Sequence, residues 1–190
     1  MARPRTFDED RAVEAAMRTF WSTGYEATST EDLCRATGLG RSSVYNAFGS
    51  KHELFEKALL RYFAYVNAGL AEILAEPAPI RDRIRALLRR AVDPLPGDPI
   101  GCLVINTIVE LDRHDEEITR RIRRHRDERV AMLATAIETA MRAGEIDPAK
   151  DARTLAEFVM AALTGIHIAT RAGADRATRE GIVATALDAL

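Results

Sequence analysis

Residues 41–48, "RSSVYNAF", gather a guanidinium, three hydroxyls and a carboxamide around one apolar pair, Val44 and Phe48. Spaced four apart, that pair shares one face of a helix. Arg41, Ser42, Ser43, Tyr45, Asn46 and Ala47 are left to face elsewhere. Their chemistry is recognition. Arg pairs with guanine edges, Asn with adenine edges, and Ser with either, while an Ala can at most touch a thymine methyl. The expectation is that Arg41, Ser42, Ser43 and Asn46 read bases and that Tyr45 meets phosphate.

Other polar residues sit where anions bind. Ser50, Lys51 and His52 open the next helix, and Thr28, Ser29 and Thr30 precede the helix before it. Backbone N–H groups and the helix dipole favour phosphate at both places. Arg3 and Arg5 lie on an N-terminal arm, residues 1–6, that can reach backbone or minor groove. Nothing points to catalysis. His52, His114, His125 and His167 are scattered without metal-ligand spacing, and no nucleophile motif, P-loop or dinucleotide fingerprint is present. No cofactor and no metal are expected. Cys34 and Cys102 form no disulfide framework.

The elements that must position these groups are helical. Val13, Ala16, Met17, Phe20 and Trp21 form a stripe ending at Gly24, a C-cap. Ser29 is the N-cap of the next helix, with Asp32 in a capping-box position and Leu33 and Ala36 facing inward. Gly38 stops that helix and Gly40 starts the one above. Two short helices joined by a Gly-containing turn make a helix-turn-helix, whose second helix enters the major groove N-terminus first. A long fourth helix follows, striped by Leu54, Phe55, Ala58, Leu59, Tyr62, Phe63, Val66, Leu70 and Ile73. Later helices are separated at "DPLPGDP" (93–99), "RHD" (113–115), "AGEIDP" (143–148) and "AGAD" (172–175). The run "ITRRIRRHRDER" reads as a solvated face, with Ile118, Ile122, Val130 and Leu133 inward and i,i+4 pairs at 116–120, 117–121, 123–127 and 124–128. "LAEFVMAALTGIHIA" is apolar on more than one face, and Ile182, Val183, Ala186, Leu187 and Leu190 stripe the last helix. In a domain this small the second face implies another copy of the chain.

Bulk properties leave this reading to stand on placement. The 190 residues carry a net charge of −2, and residues 1–51 hold seven Arg or Lys against seven acids. The basic footprint usual for DNA binding is missing. No signal peptide or membrane-length segment is seen, so a cytoplasmic protein without membrane partners is expected.

Residues 7–63 resemble the N-terminal domain of the TetR/AcrR family of bacterial helix-turn-helix regulators. The likeness is carried by Phe20, Gly24-Tyr25, Thr28-Ser29, Asp32-Leu33, Gly38, Tyr45 with Phe48, and Gly49-Ser50-Lys51 before Leu54-Phe55. The family usually has Ser or Thr at Gly40 and often an aromatic or His at Ala47, which bears on base preference. The resemblance implies an all-α fold: a three-helix DNA-binding domain over 1–50, and a helical effector-binding and dimerisation domain over 51–190. It implies a homodimer through the last two helices, a double-stranded operator, and a small-molecule effector that releases a repressor. Candidate effector contacts are Phe63, Val66, Cys102, Ile105, Asn106, Val109, Met132 and Phe158. "GCLVINTIVEL" resembles a sixth-helix start found in part of the family. There Cys102, at the start of the helix, is the candidate for a redox or electrophile sensor. The other alternative is a helical interaction module that binds no DNA.

Overall fold

The structure, a computed structural model, describes residues 8–111 and 115–190. Among these residues every regular element is a helix: α1 Glu9–Thr23, α2 Thr30–Thr37, α3 Arg41–Phe48, α4 Lys51–Ala75, α5 Ile80–Val92, α6 Leu103–Leu111, α7 Glu116–Arg142, α8 Ala152–Arg171 and α9 Arg176–Asp188. Arg3, Arg5 and His114 lie outside the described residues. No helix of the described residues is long and apolar enough to cross a membrane.

Local chemistry sets the starts. Asp8, Ser50, Asp115, Asp151 and Asp175 each accept a hydrogen bond from a backbone N–H three residues on, which satisfies one orphan donor of the first turn. α5 starts after Pro79, which has no side-chain acceptor; Glu145 Oε2 accepts from Ile80 N at 2.6 Å instead.

Two apolar cores follow. The first joins α1, α2 and α3 to the first half of α4, with Phe20 edge-on to Phe55 at 5.1 Å between centroids. It also takes in Leu103 and Leu111 of α6 and Ile118 and Ile122 of α7. The second is built from α5, α8, α9 and the far parts of α4 and α7. The break between them falls inside α4, between Phe63 and Leu70, so this helix belongs to both.

Three expectations are corrected here. Ala36 is exposed, and Cys34 and Leu39 pack inward in its place, because the inner face of α2 runs through Leu33, Cys34 and Thr37 and leaves Ala36 at its edge. The arginine-rich run is not solvated throughout: His125 and Arg129 are buried. Two of its four expected ion pairs form, Arg121–Glu117 at 2.7 Å and Arg124–Glu128 at 3.0 Å, while Arg120 pairs with Glu117 and Arg126 with Glu157.

Candidate nucleic-acid interface and effector cavity

α2 begins with the capping box expected of it. Ser29 Oγ accepts from Asp32 N at 3.1 Å, and Ser29 N donates to Asp32 Oδ2 at 3.0 Å. The Ser29 hydroxyl, and then the Ser29 backbone N–H, both donating to Asp32 Oδ2, hold the Asp32 carboxyl below the usual range. Gly38, at φ 70°, takes the left-handed conformation that turns the chain into α3. α3 then rests on Val44 and Phe48, both buried, and presents Arg41, Ser42, Ser43, Tyr45 and Asn46 as one exposed face. Gly40 gives the helix no side-chain cap, so the first-turn N–H groups are left for an outside acceptor.

Tyr45 is held upright. Its Oη lies 3.3 Å from Thr30 Oγ1, and the Arg41 guanidinium stands 5.8 Å from its ring centroid. The bond to Thr30, and then Arg41, lower the phenol's pKa. Ser50 accepts from Glu53 N at 3.0 Å, which leaves its own proton to donate. Lys51 lies over the Tyr25 ring at 4.4 Å.

Three of the proposed contacts are otherwise engaged. Thr28 is 1% exposed, and its Oγ1 donates to Gly24 O at 2.6 Å, closing the α1–α2 turn. Ser29 Oγ donates to Asp32 Oδ2 at 2.6 Å, so its proton is spent. His52 Nε2 lies 3.2 Å from Asp115 and 3.5 Å from Glu56, which ties it to the start of α7.

The absent basic footprint is explained by where the acids go. On α1, Glu9 pairs with Lys57 and Asp10 with Arg61, while Glu14 pairs with both Arg18 and Arg61. On α2, Glu31 and Asp32 flank Arg35. α3 carries no acid at all, so its face is locally positive through Arg41.

α6 couples this head to the rest of the chain. Trp21 Nε1 donates to Gly101 O at 3.1 Å, and Asn106 Nδ2 donates to Trp21 O at 3.3 Å. Glu110 Oε2 accepts from Tyr25 N at 2.6 Å and Glu26 N at 3.0 Å. Beneath α6 lies a cavity of about 460 Å³ bounded by α4, α6, α7 and α8. Val66, Cys102 and Ile105 line it as expected. Asn106 lines a neighbouring recess, where its Oδ1 accepts from Arg171 at 2.8 Å.

The other four candidates lie elsewhere. Phe63 stands behind the wall, stacked on His125 at 4.0 Å. Met132 packs on the second core. Val109, 81% exposed, and Phe158 lie outside the cavity lining and face outward.

Sequence reasoning missed the polar wall: Tyr62, His125, Arg129 and His167. Tyr62 Oη donates to Cys102 Sγ at 3.4 Å, and burial pushes its pKa well up. Burial, and then Arg129, push both His125 and His167 down to about 4. The signal for the α7 pair was in the spacing, since residues 118, 122, 125 and 129 fall on one helical face.

A helix-turn-helix head, hydrogen-bonded to a helical body with a cavity between its helices, defines a DNA-binding transcriptional regulator. Comparison with known proteins gives the family. The sequence model described as "Bacterial regulatory proteins, tetR family" matches residues 12–58, and "Tetracyclin repressor-like, C-terminal domain" matches residues 79–186. The chain therefore belongs to the TetR family of bacterial regulators. It is 30% identical over 175 residues to the HTH-type transcriptional repressor ComR of Escherichia coli K12, covering 90% of this chain and 83% of ComR. It is 24% identical over 190 residues to the repressor DhaR of Mycobacterium sp. GP1, covering 98% and 93%. A cysteine mutant of the TetR family regulator CifR, complexed with 26-base-pair operator DNA, superposes with a TM-score of 0.86 at 28% identity, covering 99% of each chain.

Proposed function

We propose that this regulator is a homodimeric repressor that leaves its operator when a small molecule fills the cavity under α6. The observation that carries the DNA half is the exposed face of α3, with every hydrogen-bonding side chain outward and Val44 and Phe48 inward. Arg41, Ser42, Ser43 and Asn46 read base edges, and Thr30, Tyr45, Ser50 and Lys51 hold phosphate. Residues 1–50 act as the DNA-binding unit and 51–190 as the effector and dimer unit, with α4 shared structurally by both. Arg3 and Arg5 are assigned to the backbone or minor groove.

Dimerisation runs through α8 and α9. In support, Phe158 and Ile168 are large apolar side chains exposed on α8, and Gly165 lies exposed between them. An effector that binds one dimer geometry better than the other shifts the pair of heads away from half-sites one helical turn apart. The reading is of a cytoplasmic regulator and not of an enzyme, supported by membership in a family of regulatory proteins.

The test is fluorescence anisotropy with DNA upstream of the protein's own gene, against scrambled DNA, at two salt concentrations. Sequence-dependent binding that weakens steeply with salt, with a slope of about −0.9 per phosphate contact, is expected. Equal and salt-insensitive binding to both DNAs refutes the reading.

A further inference from the structure

Arg129 is a cation in an unusual place. It is 6% exposed and lines the cavity, and its Nη1 donates to Val66 O at 2.9 Å. No carboxylate among the described residues pairs with it. Arg126, at the same wall, is already matched by Glu157. Burial, the largest influence, lowers the Arg129 pKa, while the neighbouring Cys102 thiol and Tyr62 phenol act the other way. A buried charge without a counter-charge is costly, and a fold that keeps one holds a site for an anion.

Two further groups face the same space. His125 is 5% exposed, and its Nδ1 has no hydrogen-bond partner. His167 stands across the cavity on α8. Both imidazoles are neutral at pH 7, so among the described residues Arg129 is the single unmatched positive charge there. The rest of the wall is largely apolar: Val66, Val104, Ile105, Ile108 and Ile122.

Resting on the effector reading above, we propose that the effector is an amphipathic organic monocarboxylate. Its carboxylate pairs with Arg129 and its hydrocarbon part fills the space against Ile105, Ile108 and Ile122. One unmatched cation suits a monoanion, and a guanidinium matches the two oxygens of a carboxylate as a fork. A doubly charged phosphate ester would bring a second charge with nothing to meet it. The volume, about 460 Å³, is that of a pocket for a small organic molecule.

The test uses matched pairs: octanoate, benzoate and cinnamate against octanamide, benzamide and cinnamamide, titrated calorimetrically into the full chain at pH 7.5. At least one acid is expected to bind about 30-fold or more tightly than its amide, the scale of losing a buried charged partner. Arg129→Met should remove that preference and Arg129→Lys should keep part of it. The acid–amide comparison needs no variant, so misfolding of Arg129→Met leaves it intact. Equal binding of acid and amide, or no binding by any of the three acids, overturns the proposal. Operator anisotropy separates it from the broader reading. An acid that binds through Arg129 without moving operator affinity supports the anion site and refutes induction. An amide that releases operator where its acid does not refutes the anion class and leaves induction standing.

Discussion

Acidification from pH 7 to pH 5 should destabilise this protein through its two buried imidazoles. His125 and His167 are each held at about 4 in the folded chain, against 6.5 for an ordinary histidine. Between those values the unfolded chain binds protons that the folded chain refuses, so stability is complete above about pH 6.5 and falls as pH drops toward 4. By linkage, each imidazole removes about 2 kcal/mol between pH 7 and pH 5. Against a total stability of about 5–15 kcal/mol, that is a large share. The Asp residues with lowered pKa, Asp32, Asp151 and Asp175, titrate below this window and do not contribute.

The assay is urea unfolding followed by circular dichroism at pH 7, 6 and 5, on the natural sequence and on His125→Phe. The phenyl ring keeps the stack on Phe63, and any cost of its extra bulk is the same at every pH. The variant should lose about half of the acid-induced fall. If the two proteins decline in parallel to within about 0.5 kcal/mol, the uncertainty expected of such extrapolations, then His125 is not buried as a neutral group and the reasoning fails.

Arg41→Ala should relax base preference at one operator position by about 1–3 kcal/mol, whereas Tyr45→Phe should weaken all sequences alike; competition anisotropy with single-base operator variants distinguishes them. Glu110→Ala removes two charge-assisted bonds to the α1–α2 turn, at 2.6 and 3.0 Å. It should lower stability by about 2–3 kcal/mol in thermal melts and should blunt the operator's response to any cavity ligand. Phe158→Arg places a charge on the apolar outer face of α8 and should turn a dimer into a monomer in sedimentation, with the helical circular-dichroism signal unchanged.

Most of the helical framework was legible because its information is local. The Ser29 and Asp32 capping box, the Gly38 turn and the Val44–Phe48 pair are each written within a few residues. What was not legible depended on how the backbone turns or on distant partners. Thr28 looks like an anion-binding hydroxyl until the α1–α2 turn brings Gly24 O within 2.6 Å, and His52 looks like a phosphate donor until Asp115 arrives from α7. Arg129 hides in an arginine-rich run whose other members are mostly solvated; its spacing from Ile118 and Ile122 puts it on the inner face, but only the gap left by four helices shows that it faces a cavity. Ala36 failed for a smaller reason: in an eight-residue helix, one position's rotation decides inside from outside.

α4 runs unbroken from Lys51, beside α3, past Tyr62 and Val66 in the cavity wall. At about 1.5 Å per residue, the stretch from Lys51 to Val66 is a stiff arm of about 22 Å. A tilt of about 5° at the cavity end displaces the head by about 2 Å, and a symmetric pair of such arms doubles the change in separation. DNA fixes its grooves at about 34 Å per turn, so a few ångströms of misfit at each recognition helix breaks register. On the induction proposed above, a ligand wedged against Tyr62 and Val66 would need only to rock one rigid rod, whose length turns a small tilt at the cavity into a misfit at the operator.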